Sequence, residues 1–391
     1  MGLLAKTLIK AGHLFTGETG ASTVGDRYVV VSDGLIEAVH DRIPQGQFEV
    51  ILDFSQKYVL PGIIDAHTHL AFNGRESLFK LYMDPRDKLA FEAVDSARRT
   101  LLSGVTTCRD VGGFEYLDVS LKRFINQGDL VGPRMFVSGK MVTATGGHCY
   151  VIAVQANGPS EIRAAVREQM KNGADMIKLM ATGGGATPGQ HLEAVQLELD
   201  EIRAAVETAH SNFRRVGVHA HGAAGIRRVV EGGVDIVDHC SLLDEDGAKM
   251  MADRGTYMCI TPGHESMFPD LDPDWTRRMM PLRSRAAKTL EIARKHDLKI
   301  CMGTDAGGNP YAPHGKISVC FEELVKQGMT AKEAVIAGTS AAADCIGIAD
   351  RVGTITPGKL ADFAVFDGDP TRDITYIAAI AAVIKDGKLV V

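Results

Sequence analysis

The chain has 391 residues, which allows one large domain with a smaller one, or two to three domains of ordinary size. Hydrophobic residues make up 45% and charged residues 24%, as in globular proteins, so a fibrous or disordered chain is excluded. The formal net charge is -6, and no nucleic acid is expected as a partner, because nucleic-acid-binding surfaces are strongly basic.

Neither end of the chain carries a predicted membrane span or signal peptide. The longest apolar run there, 377–384, has eight residues, whereas a membrane-spanning helix needs about 20. Lys6 and Lys10 interrupt the apolar N-terminal stretch, which lacks a signal-peptide cleavage pattern. The seven cysteines are widely spaced without a CxxC pair, which favours reduced thiols in the core. These features predict a cytoplasmic protein without membrane contact.

Short apolar runs rich in β-branched residues alternate with amphipathic stretches along residues 60–353, as in parallel strands joined by crossover helices. Eight strands are predicted, at 62–66, 105–108, 134–138, 176–180, 216–219, 235–237, 257–261 and 299–302. Helices are predicted at 88–102, 116–127, 160–172, 200–212, 226–231 and 276–296. Eight strand–helix units favour an α/β fold of the (β/α)8 TIM barrel type over an open sheet.

The two ends of the chain follow a different pattern. Residues 1–59 and 354–391 contain strand-like runs separated by DG and PG turn signals, with no helices between them. We expect these segments to form one small β-sandwich domain built from both termini, beside the barrel of residues 60–353.

His67 and His69 lie two residues apart at the end of the first predicted barrel strand. Residues i and i+2 of a strand point to the same side, so both imidazoles can bind one metal ion. An HxH pair alone is weak support for a metal, because two polar histidines at a strand end are also compatible with a structural role.

Lys178 lies within the apolar strand MIKLM, where a buried ammonium group would be costly to desolvate. One interpretation is a lysine that reaches the barrel rim or pairs with an acid there. The other is a neutral amine carboxylated by CO2, which gives an anionic carbamate able to bridge two cations.

His219 and His239 end the fifth and sixth predicted strands, and neutral imidazole is a common zinc ligand. Taken singly, each histidine fits a structural role better. His221 follows His219 by two residues, and we rank His219 as the ligand and His221 as a pocket residue.

Asp305 closes the eighth predicted strand, where a buried carboxylate needs a partner. A metal ion and its bound water would provide one, although a turn-capping Asp before Ala-Gly-Gly is the alternative. The candidate side chains thus all lie at carboxyl ends of predicted strands, the rim that holds barrel active sites. This shared location is the main reason to predict an enzyme.

These residues belong to a set of motifs that resembles the amidohydrolase superfamily, specifically its imidazolonepropionase-like and Xaa-Pro dipeptidase-like branch. The motifs span the chain: LPGIIDAHTHL, SGVTTCRDVGG, ATGGH, ADMIKLMATGGG, VHAHG, DIVDHC, GTDAG and GTITPGKLADFAVFDGDP. The resemblance implies two divalent ions, most often Zn²⁺. The implied ligands are His67, His69 and Asp305 for the first ion, His219 and His239 for the second, and carboxylated Lys178 between them.

The same resemblance implies that a hydroxide bridging the metals attacks a carbonyl and that Asp305 passes the proton to the leaving nitrogen. General acid–base catalysis of this kind contributes about 10²–10⁴ in rate. His148 matches a histidine often found after strand three in relatives, where it would contact the substrate carbonyl, and a loop histidine is the equal alternative. Tyr150 is a weaker candidate for the same wall.

The substrate class stays open among dipeptides, N-acyl amino acids and aryl amides or carbamates. A free carboxylate would need a cation, and the loops after strands one to three offer Arg75, Lys80, Arg109 and Lys140, of which Arg109 could instead pair with an acid. An aromatic group could contact side chains in the last two loops: His264, Met267, Phe268, Trp275 and Tyr311.

Two other functions remain compatible with the sequence. Two metal ions can also promote lactone or phosphotriester hydrolysis, because they polarise C=O and P=O bonds alike. A metal-free scaffold on the same fold is the alternative outside enzymes, and the presence of all six ligand-type residues argues against it. The expected partner is a small-molecule substrate, and the resemblance suggests a homo-oligomer.

Overall fold

The computed structural model describes residues 6–262, 279–308 and 312–391. Its strands in chain order are β1 (Lys6–Leu14), β2 (Val24–Ser32), β3 (Leu35–His40), β4 (Val50–Pro61), β5 (Ile63–Thr68), β6 (Val105–Asp110), β7 (Arg134–Val137), β8 (Val142–Thr143), β9 (Val154–Gln155), β10 (Ile177–Met180), β11 (Val216–Ala220), β12 (Ile236–His239), β13 (Tyr257–Ile260), β14 (Ile300–Met302), β15 (Phe363–Phe366), β16 (Ile380–Lys385) and β17 (Lys388–Leu389). All eight predicted barrel strands are confirmed, as β5–β7 and β10–β14, with ends within two residues of the prediction.

The helices in chain order are α1 (Leu78–Met83), α2 (Arg86–Leu102), α3 (Leu117–Gln127), α4 (Gly158–Lys171), α5 (Leu199–His210), α6 (Ala223–Glu231), α7 (Glu245–Arg254), α8 (Ala286–Lys295), α9 (Ser318–Lys326), α10 (Ala331–Ala337) and α11 (Ser340–Cys345), followed by a 3-10 helix (Ile374–Ala378). The predicted helices match α2–α6 and α8. The sequence analysis missed α1, α7 and α9–α11, most of which are too short to show a clear helical period.

The central strands form parallel sheets, which confirms the predicted α/β class. One sheet has the order β14-β13-β12-β11-β10-β8-β9, and a smaller one has the order β5-β6-β7. Asp175, just before β10, donates its backbone N–H to the Val137 carbonyl of β7 at 2.8 Å. Across the other edge, Asp305 donates its N–H to the His67 carbonyl of β5 at 2.7 Å. The carboxyl ends of these strands therefore face the same region.

Gly303 explains how the chain after β14 comes so close to β5. A Cβ atom at this position would lie 2.7 Å from the backbone nitrogen of His67 and 2.9 Å from its Cα atom. Such distances are far inside van der Waals contact, so only glycine fits here. The absent side chain allows the segment that carries Asp305 to lie against the strand that carries His67.

The terminal segments pair in one mixed sheet with the order β17-β16-β15-β4-β1-β2-β3. Within it β1 is parallel to β4, and the other pairs are antiparallel. A separate buried cluster, which includes Ile9, Val59 and Phe363, covers this sheet. Both ends of the chain therefore contribute to one sheet, while its arrangement as a separate sandwich domain stays a prediction.

The structure also bears on the cysteines and on membrane spans. All seven cysteines are buried and none forms a disulfide, as the sequence analysis predicted. Among the described residues, no helix has the length and hydrophobicity required to cross a bilayer.

Candidate metal centre

One group of possible metal ligands forms where β5 meets the segment after β14. His67 Nε2 and His69 Nε2 each lie 3.4 Å from Oδ1 of Asp305. Both histidines are buried, and His69 is oriented by a contact of 2.8 Å between its Nδ1 and the Gly112 carbonyl. The ligand atoms of the three side chains lie within 4.8 Å of one another, close enough to hold one cation.

Asp65 joins the two segments that carry this group. Its carboxylate accepts hydrogen bonds from the Thr304 backbone at 2.9 Å, from the Thr304 hydroxyl at 2.6 Å and from the His67 N–H at 3.2 Å. The Asp of the sequence motif IIDAHTHL is therefore a structural tie that fixes the relative positions of His67 and Asp305.

A second group comprises His219, His221 and His239, whose ligand atoms also lie within 4.8 Å of one another. Hydroxyl groups fix two of the rings: His221 Nδ1 lies 2.8 Å from Ser241 Oγ, and His239 Nδ1 lies 2.7 Å from Thr261 Oγ1. Such contacts leave the other ring nitrogen of each imidazole for a ligand. His221, which we expected to line the pocket, thus belongs to the same cluster of imidazoles as His219.

The two groups adjoin, because the ring centroids of His67 and His239 are 5.0 Å apart. Burial, with the neighbouring charges, holds the pKa values of His219 and His239 well below the ordinary value. Burial would also lower the pKa of His67, but Asp238 and Asp305 outweigh it and raise that pKa to about 10. The second group therefore consists of neutral imidazoles, the protonation state that binds cations.

Lys178 is 1% exposed and lines the same cavity from β10. Its Nζ atom contacts Oδ2 of Asp238, a residue on β12 that the sequence analysis did not select. Burial lowers the pKa of the Lys178 amine, although the Asp238 carboxylate opposes this shift. Of the two interpretations of Lys178, pairing with an acid is what the structure shows for the unmodified side chain.

Asp238 and Arg109 form a fully buried ion pair beneath the histidines. Arg109 donates through Nη2 to Asp238 Oδ1 and through Nε to the Ala66 carbonyl, and both residues are 0% exposed. Burial would raise the pKa of Asp238, but Arg109, Lys178 and His67 hold it well below its usual range. Arg109 thus pairs with an acid, the alternative considered for it above.

Asp305 has a left-handed backbone conformation, with φ of 54°. Asp and Asn tolerate this region better than other non-glycine residues. Burial would raise the pKa of Asp305, but hydrogen bonds from His67 and His69 hold it well below the usual value. The side chain is therefore a carboxylate, available both as a metal ligand and as a proton acceptor.

The cavity above these groups is lined by both polar and apolar residues. His148 lines it, fixed by a contact of 2.9 Å from its Nδ1 to Thr187 Oγ1 and by its N–H donating to Gln196 at 2.8 Å. Arg283 is also a lining residue. The apolar lining residues include Phe72, Leu78, Met141, Met180, Ile260 and Leu282.

Comparison with known proteins identifies the family. A model of the amidohydrolase family matches residues 58–390. The chain belongs to this family. The ochratoxinase of Aspergillus niger is 28% identical over 98% of this chain and 86% of that protein. The imidazolonepropionase of Shewanella pealeana is 24% identical over 94% of each protein. A crystal structure of a Xaa-Pro dipeptidase with bound methionine is 32% identical, covers 98% of this chain and 99% of its own, and superposes with a TM-score of 0.86.

The comparisons confirm the branch that the motifs indicated, and this amidohydrolase is a metal-dependent hydrolase that acts on amide-type bonds. The structure brings together all six predicted metal ligands at one cavity, with His148 and His221 beside them.

Other selected residues of this amidohydrolase lie away from the described cavity lining. Arg75 is exposed, and Tyr150 packs its ring against Phe79 at 5.7 Å between centroids. Lys80 pairs with Glu76, and Lys140 lies over the Tyr116 ring. The predicted loop contacts His264, Met267, Phe268, Trp275 and Tyr311 lie outside the described residues.

The sequence analysis did not select two side chains of the site region, Asp238 beneath the histidines and Arg283 in the cavity lining. Asp238 follows two apolar residues, Ile236 and Val237, in the strand DIVDHC, so the desolvation argument applied to Lys178 would have selected it too. Arg283 carries no such signal, because its surroundings in the sequence are those of an ordinary polar helix.

Proposed function

We propose that this amidohydrolase holds two divalent metal ions and hydrolyses an amide-type C–N bond in the cavity above them. One observation carries the proposal: the two histidine groups adjoin, and Lys178 and Asp305 line the same cavity. His67, His69 and Asp305 would hold the first ion, and His219 and His239 the second. Lys178, carboxylated by CO2, would connect the two ions.

The chemistry of these side chains fits divalent cations such as Zn²⁺. Neutral imidazole and carboxylate are the donors that zinc accepts in catalytic sites. Hydrogen bonds orient His69, His221 and His239 through their Nδ1 atoms. Without a cation, a buried cluster of so many polar rings would be costly to desolvate. The unmodified Lys178 is a poor metal ligand, and carboxylation would convert it into an anionic one.

When bound, the ions would activate a water molecule and polarise the scissile carbonyl. Asp305 Oδ1 lies at the histidines of the first group, where it can accept a proton and return it to the leaving nitrogen. His148 has Nδ1 on Thr187, which leaves Nε2 to donate a hydrogen bond to the developing oxyanion. The apolar residues of the cavity lining would contact the substrate group attached to the carbonyl carbon.

The same proposal includes the domain organisation. We infer that β5–β7 and β10–β14 close into a (β/α)8 barrel over residues 60–353, because hydrogen bonds join both edges of the parallel sheets. Residues 1–59 and 354–391 would form the small β domain. The site would then occupy the carboxyl rim of the barrel.

Metal analysis and substrate turnover test this function together. We expect about two divalent ions per purified chain and loss of turnover on chelation, with recovery when Zn²⁺ is returned. Lys178→Ala should lower activity by at least about 100-fold and release metal, because one ligand is lost. A panel of dipeptides, N-acyl amino acids, aryl carbamates and lactones identifies the bond that is cleaved. A fully active metal-free protein would overturn the proposal. Turnover of lactones alone would favour lactone hydrolysis over amide hydrolysis.

Within this function we propose a substrate that carries a free carboxylate. Arg283 contributes a permanently charged side chain to the cavity lining, which also contains the acid Glu323. A guanidinium group binds carboxylate in a bidentate geometry, which suits the product end of a dipeptide or an N-acyl amino acid. One similar protein is named as a Xaa-Pro dipeptidase, and a dipeptide has such a carboxylate.

Arg283→Met should therefore lower kcat/KM for a carboxylate substrate by about 10–100-fold, the value of 1.5–3 kcal/mol for a hydrogen bond to a charged group. For the same substrate with its carboxylate converted to an amide, Arg283→Met should lower kcat/KM only slightly. Arg285→Met is the matched control, because Arg285 is exposed and absent from the cavity lining. Equal losses with both substrates would refute a carboxylate contact.

A further inference from the structure

The Arg109–Asp238 ion pair lies directly beneath the proposed ligands and touches two of them. Asp238 Oδ1 lies 3.1 Å from His67 Nδ1 and also accepts from Arg109 Nη2. The other oxygen, Oδ2, accepts from Lys178 Nζ. A single carboxylate thus contacts a candidate ligand of the first ion and the residue proposed to connect the two ions.

We propose that Asp238, held in place by Arg109, is a positioning residue for both His67 and Lys178. This inference rests on the proposed function. In this role Asp238 would contact no metal itself and would direct its two oxygens to Arg109, His67 and Lys178, although its carboxylate also lies within 4.8 Å of possible ligand atoms of His67 and Cys259. It would act by fixing the orientation of side chains that do.

At His67, Asp238 would determine which ring nitrogen faces the cavity. When a cation replaces the proton on Nε2, a carboxylate 3.1 Å from Nδ1 would favour the tautomer that keeps its hydrogen on Nδ1 and leaves the Nε2 lone pair for that cation. The Nε2 atom of His67 is the one that lies near Asp305. The contact with Asp238 therefore directs the ligand atom towards the first group.

At Lys178, Asp238 would bind the hydrogen that remains on the nitrogen after carboxylation. The neutral amine nitrogen attacks the carbon of CO2: one N–C bond forms, one C=O π pair moves onto oxygen, and one N–H bond breaks as its proton passes to water, so the carbamate keeps a single N–H. Asp238 Oδ2 is the acceptor next to that nitrogen. Accepting this N–H would direct the carbamate oxygens away from Asp238 and towards the histidines.

Arg109 supplies the rigidity that this role requires. Its guanidinium is held at two points, by the Ala66 carbonyl and by Asp238. Gly217 leaves space for it, because a Cβ atom there would lie 2.6 Å from Arg109 Nη1. A side chain at position 217 would displace the guanidinium group and, through it, the carboxylate.

The test compares Zn²⁺ affinity and Lys178 carboxylation in the wild type and in Asp238→Asn. Affinity is measured by competition with a chelator, and the carbamate by ¹³C NMR after incubation with labelled bicarbonate. We expect Asp238→Asn to bind Zn²⁺ about 10–100-fold more weakly, the usual loss when a residue that orients a metal ligand is removed. The carbamate signal should fall as well, which a general loss of stability in a folded protein would not cause.

Two further variants keep the result interpretable. Asp118→Asn is the matched control, since Asp118 is equally buried but accepts only from the backbone of Val119 and Gly139, outside the cavity lining. It should leave affinity and carbamate unchanged. Gly217→Ala keeps every charge and should weaken Zn²⁺ binding in the same direction, so it replaces Asp238→Asn if that variant does not fold.

Zn²⁺ binding by the wild type tests the proposed function, whereas the comparison with the variants tests the positioning role of Asp238. A wild-type protein that binds no divalent ion would overturn the proposed function. A wild type that binds two ions, with Asp238→Asn and Gly217→Ala indistinguishable from it in affinity and carbamate, would overturn the positioning role alone.

Discussion

Asp305→Asn should lower kcat by about 10²–10⁴ while leaving the fold intact, because the variant loses the group that accepts and returns the proton. Asparagine is the appropriate replacement, since it tolerates the left-handed backbone conformation at φ of 54°. Alanine would add backbone strain to the loss of the carboxylate and confuse the two effects. The measurement is steady-state kinetics on the substrate found in the panel, at saturating Zn²⁺.

The control for Asp305→Asn is Asp297→Asn. Asp297 also has a left-handed conformation, with φ of 51°, but it lies before β14, away from the cavity lining. Its replacement should leave kcat unchanged. If Asp305→Asn kept full activity with two ions bound, Asp305 would not be the general acid–base group, although it could still be a ligand.

Arg109→Met should reduce the free energy of unfolding by about 3–5 kcal/mol, the effect of removing one partner from a buried ion pair. Methionine fills much of the same volume, so the loss reports mainly the removal of the Arg109 charge from Asp238, which keeps its contacts with Lys178 and His67. Both residues are 0% exposed, and water cannot replace the lost partner without entering the core. Urea denaturation of the metal-free protein measures the change without a contribution from bound ions.

The double variant Arg109→Met/Asp238→Asn distinguishes charge from packing. The double variant removes both charges of the pair. Its free energy of unfolding should therefore fall by less than the sum of the decreases in the two single variants. Arg123→Met provides the surface control, since Arg123 lies over the exposed Phe124 ring and should change stability by less than about 0.5 kcal/mol. Additive losses would show that Arg109 contributes through its volume.

The strands and the ligand types could be predicted from the sequence because both depend on local patterns. Strands buried on both faces read as short continuous apolar runs, and β5, β10 and β11 have every residue buried. Polar residues such as Lys178 and Asp305 contrast with those runs, which made them conspicuous. The short helices α1, α10 and α11 had too few turns for their period to be recognised.

Contacts between distant residues could not be predicted in this way. Asp238 and Arg109 are 129 positions apart, and their pairing depends on β6 and β12 directing both side chains into the same interior. Arg283 was missed for a similar reason, because its position in the cavity lining depends on residues that are distant from it in the chain. Arg75, by contrast, occupies a suitable loop in the sequence but is exposed.

The sequence by itself determined the family, the strand order along the chain and the set of side chains able to bind metal, since residue type and spacing define each of these. Only the tertiary structure decided which side chains meet: the two adjoining histidine groups, Asp238 between Arg109, His67 and Lys178, and the guanidinium of Arg283 in the cavity lining. The physical reason is that these contacts join residues far apart in the chain, and their geometry is fixed by strand packing rather than by local sequence.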